Sequence, residues 1–246
     1  MTDTRGRARL GVLVPFTNTN LEPDMVWLAP PGISVHFARL GGYDVDEIPD
    51  DAQMAGLGSA DLTEPLALIQ GARPDVVLYG CTSATLTHGA AFDRALAERI
   101  SAQSGAASVT AAGALVHGLK AIGAARIGFA SPYVGAINDQ AISFLESEGI
   151  ETVSSADIGK TLGNYGQGEL TPGEVYDLAC RADTPHAEAI VLSCTDMRSV
   201  ETVDQLESAL GKPVICSNQA MMHQALELLE LAPTAPCGQL FKKFAA

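Results

Sequence analysis

Positive charge is scarce in this chain. Fifteen Lys and Arg stand against 29 Asp and Glu, a formal net charge of −14 over 246 residues. Such a surface repels polyanions, so nucleic acid and anionic membrane are excluded as partners of the surface as a whole. A small anion is not excluded, because backbone N–H groups at helix starts can hold one locally. A long apolar run is also missing. The richest stretch, 111–130, is interrupted by His117, Lys120 and Arg126, which leaves nothing of bilayer-spanning length. The first nine residues are polar and basic, without the apolar centre of a secretory signal, and the expectation is a cytoplasmic protein. Cysteine comes as five scattered residues with no Cys-x-x-Cys pair and no His/Cys zinc spacing. A secreted disulfide framework is excluded and no metal site is expected.

Apolar residues make up 47% of the chain, ample for a core in one large domain or two small ones. Leu10–Val14, Ile33–Arg39, Val76–Tyr79, 108–110, 125–130, 150–153, 189–192 and 213–216 read as strands. Residues following Asn20 and the stretches 60–71, 90–100, 114–123, 136–148, 172–182, 202–210 and 219–231 read as helices, and 233–246 adds a short final one. Thr171-Pro172-Gly173-Glu174 carries the signature of a capping box with proline at the first helical position. Thr19 or Asn20 caps the first helix, and Thr82-Ser83 caps the helix running through 90–100. The acidic stretch 43–60 is expected to be a loop over the site. Alternation of strand and helix means an α/β protein with parallel sheets.

The pattern occurs twice. Leu10–Pro15 matches Ile127–Pro132, Val76–Cys81 matches Ala189–Cys194, and Ala114–His117 matches Ala220–His223. We expect two pseudo-symmetric α/β lobes with a cleft between them, 1–117 and 118–219, the tail 220–246 packing back on the first. In parallel sheets the ligand lies at the carboxyl ends of the strands. Thr17 and Asn18, Cys81-Thr82-Ser83, Tyr133 and Cys194-Thr195 all fall there. A thiol is both nucleophile and weak acid, and a helix start following each cysteine would favour the thiolate. Neighbouring N–H and hydroxyl donors suit a carboxylate or an enediolate. Cys180 and Cys216 read as inert apolar residues, Cys237 as incidental, His88 as a weak candidate base, and His117 and His223 as structural. Asn18 on spacing alone is a turn residue or cap. Arg39, ending its strand, reaches either a substrate carboxylate or open solvent.

On these residues the chain resembles the Asp/Glu racemase superfamily and, within it, is similar to maleate cis-trans isomerases and arylmalonate decarboxylases, over Gly11 to about Leu240. Val14-Pro-Phe-Thr-Asn18-Thr-Asn-Leu-Glu22 resembles the isomerase opening, where Pro-Ser-Ser-Asn is usual. The resemblance implies that Asn18 contacts a substrate carboxylate and that Cys81 and Cys194 are the two catalytic thiols. It implies that Tyr133, in Ser131-Pro132-Tyr133, binds substrate, and that Asn164 in the glycine loop matches a further isomerase asparagine. Thr82-Ser83 with Gly89–Phe92, and Leu192–Cys194, are similar to the decarboxylases, which carry glycine where Cys81 stands. Thr195–Arg198 is typical of neither group. The implied activity is cofactor-independent isomerisation of maleate to fumarate through a thioether and an enediolate. A racemase of an amino acid or hydantoin, a decarboxylase, or a non-catalytic acid-binding protein are the alternatives. The implied partners are a small carboxylate and a second copy of the chain, in a homodimer or larger homo-oligomer.

Overall fold

The computed structural model describes residues 6–41, 56, 58–133 and 135–244; the expected loop over the site at 43–60 lies largely outside them. Among the described residues eight strands form two separate four-stranded parallel sheets. The first contains β1 (Ala8–Val14), β2 (Ile33–Arg39), β3 (Val76–Tyr79) and β4 (Ala107–Thr110), in the order β2-β1-β3-β4. The second contains β5 (Arg126–Ala130), β6 (Glu151–Ala156), β7 (Ala189–Leu192) and β8 (Val214–Cys216), in the order β6-β5-β7-β8. The two orders are the same, as expected of two pseudo-symmetric lobes. Central strands β3 and β7 are buried at every residue, which is why they read as unbroken apolar runs rather than alternating ones.

The helices are α1 (Leu21–Leu28), α2 (Thr63–Gln70), α3 (Thr82–Leu86), α4 (Ala90–Ser104), α5 (Ala111–Ile122) and α6 (Ala136–Ser147). They continue with α7 (Gly166–Glu169), α8 (Pro172–Ala182), α9 (Val203–Leu210), α10 (Ser217–Leu228) and α11 (Gly238–Lys242). The capping box before α8 is present: Glu174 N–H donates to Thr171 Oγ1 at 3.3 Å, and Thr171 N–H donates to the Glu174 carboxylate at 2.9 Å. Other boundaries moved for local reasons. Thr82-Ser83 opens a helix of its own, because Gly89 at φ 81° breaks the chain between α3 and α4. Helix α5 starts at Ala111, capped by Thr110 Oγ1, which accepts from Gly113 N–H at 3.1 Å. Helix α10 starts at Ser217, its entry fixed by Cys216 N–H donating to Gln219 Oε1 at 3.3 Å.

Helices α5 and α10, which follow the last strand of each sheet, pack on one another, and α5 also touches β8 while α10 touches β3 and β4. The two lobes therefore share one core. Leu10, Val12, Leu78 and Val109 belong to the same buried cluster as Phe129, Val191, Ile215 and Met221. A smaller cluster, including Leu66, Ile69, Val77 and Ile100, covers the other face of the first sheet. A shared core fixes how the two sets of strand ends face each other. Among the described residues no helix is long and apolar enough to cross a membrane.

Candidate active site

The two lobes build their strand ends with the same bond. Gly80 N–H donates to the Leu13 carbonyl at 3.0 Å, and at the matching place Ser193 N–H donates to the Ala130 carbonyl at 2.9 Å. Each bond sets the backbone direction of the residue that follows, Cys81 or Cys194. Position 80 has no room for a side chain: a Cβ there would lie 2.2 Å from Leu21 Cδ2 and 2.9 Å from the Leu13 carbonyl oxygen. Only glycine lets β3 end this close to β1 and α1.

Both thiols are buried and free, 5% and 3% exposed. The Cys194 sulfur accepts from the Tyr133 hydroxyl at 3.1 Å and from Asp196 N–H at 3.4 Å. The Cys81 sulfur lies 3.7 Å from Ser83 Oγ and also takes the N–H of Ala84. Tyr133 connects the two, since its hydroxyl feels the charge of either thiolate and also meets the Ser83 hydroxyl. The cysteines feel one another: a charge on Cys81 raises the pKa of Cys194.

The expectation that helix starts would favour both thiolates is corrected here. Cys81 caps α3, but bends follow Cys194, with no helical turn until the 3₁₀ turn Val200–Thr202. Asp196 turns away to the other lobe instead. Burial outweighs the donors at both sulfurs. It pushes the Cys81 thiol up, with the Ala84 N–H and Ser83 hydroxyl opposing. Burial together with the nearby Asp196 charge pushes Cys194 up to about 12, with Tyr133 and the Asp196 N–H opposing. Both sulfurs are therefore thiols at neutral pH.

Asn18 is buried and nearly saturated. Its Oδ1 accepts from the N–H groups of Asn20 and Leu21 at 3.1 and 2.9 Å, and its Nδ2 donates to Thr195 Oγ1 at 3.0 Å. A primary amide has two N–H donors, so one remains for a ligand. The Thr195 hydroxyl in turn donates to the Gly80 carbonyl at 2.8 Å, which closes a chain from the first lobe to the second and back. Thr82 Oγ1 donates to Ser217 Oγ at 3.0 Å, a further bond between lobes. Thr17 and Asn164 are buried, the latter in the loop before α7. Arg39 is committed elsewhere. Its Nη1 donates to the carbonyls of Pro15, Phe16 and Asn18, at 3.3, 3.0 and 2.8 Å, and its Nη2 to Glu22 at 3.0 Å. It holds the loop that presents Asn18.

Three polar residues at the site carried no signal in the sequence beyond being polar. The Asp196 carboxylate accepts from the N–H of Thr19 and Asn20 at 2.8 and 3.1 Å, and from Asn20 Nδ2 at 3.2 Å. Burial still pushes it up to about 6. Asn218 donates to the Thr195 carbonyl at 2.9 Å and to Asp24 at 2.7 Å. Asp24 is pushed up to about 7, chiefly by burial, with the bond from Asn218 opposing. Asp196 meets Thr19 across 177 residues and Asn218 meets Asp24 across 194, so no local pattern marks them.

The family model for arylmalonate decarboxylase matches residues 10–241. The chain belongs to this family. Its relatives are not all decarboxylases. The maleate isomerase of Nocardia farcinica is 30% identical over 255 residues, covering 98% of each chain. The solved maleate isomerase Iso of Pseudomonas putida S16 superposes with a TM-score of 0.88 at 25% identity, over 97% of this chain and 99% of the other. A Nocardia farcinica maleate cis-trans isomerase variant with a covalently bound succinylcysteine intermediate gives a TM-score of 0.85 at 24% identity, over 96% and 98%. The family and the Asp/Glu racemase-like two-lobed fold expected from the sequence are both borne out.

Proposed function

We propose that the chain is a cysteine-based isomerase that converts maleate to fumarate. The observation that carries this is the pair of buried thiols at matching strand ends, coupled to each other and to one tyrosine hydroxyl. The isomerase relative of full-length coverage and the neighbour that holds a succinylcysteine support the same reading. Cys81 first loses its proton to solvent water and enters the cycle as thiolate; its sulfur then adds to one alkene carbon, forming a C–S bond. The alkene electron pair moves toward the adjacent carboxylate as an enediolate, and Cys194 delivers its proton to the neighbouring carbon. The former double bond is now single and rotates. Cys194 as thiolate then removes a proton from that carbon, the double bond re-forms, the C–S bond breaks and fumarate leaves. Atoms and electrons balance with Cys81 back as thiolate, and the substrate carboxylate serves as electron sink.

The asymmetry of the thiols suits these roles. Cys194, held up to about 12 beside Asp196 and tied to Tyr133, is the better proton reservoir. The first α3 N–H groups and the remaining Asn18 N–H supply donors for the carboxylates. A cytoplasmic homo-oligomer completes the proposal; light scattering on the purified protein reads its mass. The test of the reaction is NMR of maleate with the enzyme in heavy water. Fumarate formation by the wild type, abolished in Cys81→Ser, supports the mechanism; turnover retained by Cys81→Ser removes it. Arylmalonates in the same panel examine the reaction named for the family, which needs a single proton donor. Deuterium exchange at the stereocentre of an amino acid or hydantoin, without maleate turnover, would favour the racemase instead.

A further inference from the structure

We propose that His117, His223 and Glu227 form a binding site for a divalent transition-metal ion at the junction of the two lobes. His117 lies on α5 and His223 and Glu227 lie one turn apart on α10. The three donor atoms all fall within 4.8 Å of one another. His223 Nδ1 stands 3.7 Å from Glu227 Oε2, and His117 Nε2 is in direct contact with the same oxygen. Metal bonds of about 2.0–2.1 Å arranged tetrahedrally put neighbouring donors about 3.3 Å apart, so rotamer adjustments suffice to admit an ion.

The independent observation is His223 itself. Its side chain is 1% exposed, and neither ring nitrogen has a hydrogen-bond partner among the described residues. A buried imidazole left with both nitrogens unpaired is costly unless something else occupies them. Phe241 and Phe244 wall it on the other side, with ring centroids 6.4 and 5.4 Å away. His117 and Glu227 are 40% and 38% exposed, which gives an ion a way in and leaves room for a water as fourth ligand.

Two imidazoles and one carboxylate favour zinc over calcium or magnesium, which prefer all-oxygen cages. In the sequence His117 and His223 read only as matching structural histidines, because the ligands come from two helices that are brought together only when the lobes share their core. The ion would clamp α5 to α10. The first turn of α10 carries Ser217 and Asn218, which meet Thr82 and Thr195, so the clamp braces the site from a distance and takes no part in the chemistry.

The test is calorimetric titration of Zn²⁺ into tag-free, chelator-stripped full-length protein, with melting curves and the visible spectrum of the Co²⁺ form. The expected result is one ion per chain, a raised Tm, and a cobalt spectrum without sulfur charge transfer. His117→Ala and Glu227→Gln, both at half-exposed positions, should each lower the affinity at least tenfold and erase the Tm gain. Weak non-stoichiometric uptake, binding that survives both substitutions, or a sulfur charge-transfer band that vanishes in Cys81→Ser would overturn the proposal, the last by moving the ion to the thiols.

Discussion

Cys81 and Cys194 occupy the same place in two copies of one lobe, yet they are different acids. Both follow a central strand, and the same backbone bond fixes each. The first is met by a serine hydroxyl and a backbone N–H of α3. The second faces the tyrosine hydroxyl and an acidic neighbour, and burial together with that neighbour's charge pushes its pKa up to about 12. The two lobes thus carry sulfurs at matching positions, and the proposed division of labour, nucleophile at Cys81 and proton carrier at Cys194, rests on the different residues around them.

The largest effect expected from breaking this comparison is at the sulfurs. Cys81→Ser should lower kcat for maleate by about 10⁴-fold or more, since no adduct can form. Cys194→Ser should cost about 10²–10⁴-fold, as the loss of a positioned acid does. The distinguishing readout is mass spectrometry, with a maleate adduct on Cys81 accumulating in Cys194→Ser alone. An adduct on Cys194 in Cys81→Ser would reverse the roles. The reaction needs Cys81 deprotonated, and burial lifts that thiol above 9.0. The kcat/KM of the wild type should therefore climb with pH on the alkaline side until Cys194 also loses its proton near 12.

Tyr133→Phe sharpens the contrast by removing the hydroxyl that only Cys194 receives directly. A fall in kcat of about 10²-fold with KM little changed is expected; an equal rise in KM would make Tyr133 a substrate-binding group. A smaller effect is expected at Asp24, in the support of the second lobe's strand end. Its carboxyl is raised from 3.8 to about 7 in the folded chain. Between those values the folded chain holds a proton that the unfolded chain has lost, so this group makes stability fall as pH rises. Asp24→Asn keeps an acceptor for Asn218 and should gain about 1–3 kcal/mol at pH 8 over wild type, and nothing at pH 4. Melting curves across that range check it, and a constant offset between the two proteins would refute it. The least effect belongs to Thr171→Ala at the capping box of α8, about 1 kcal/mol in stability with turnover unchanged.

Much of the fold was legible because its signals are local. Thr171–Glu174 is a helix start whatever surrounds it, and the run Ala189–Leu192 is a buried strand by length and composition. Cys81, Cys194, Asn18 and Tyr133 were found because they sit at strand ends in a repeated pattern and resemble a known family. Arg39 shows where that reading stops. A strand-end arginine is ambiguous in sequence, and only the carbonyls of Pro15, Phe16 and Asn18 reveal what it holds. Asp196 shows the same from the other side: it was noted merely as atypical, yet it ties Thr19 and Asn20 to the second lobe.

By itself the sequence determined two parallel α/β units, their helix starts and a thiol at the end of one strand in each, since apolar period and capping chemistry act over a few neighbouring residues. The tertiary structure alone decided which polar groups meet across the lobes, and so which way each thiol titrates. Those properties depend on burial and on partners far apart in the chain, and they exist only once the shared core of α5 and α10 has set one lobe against the other.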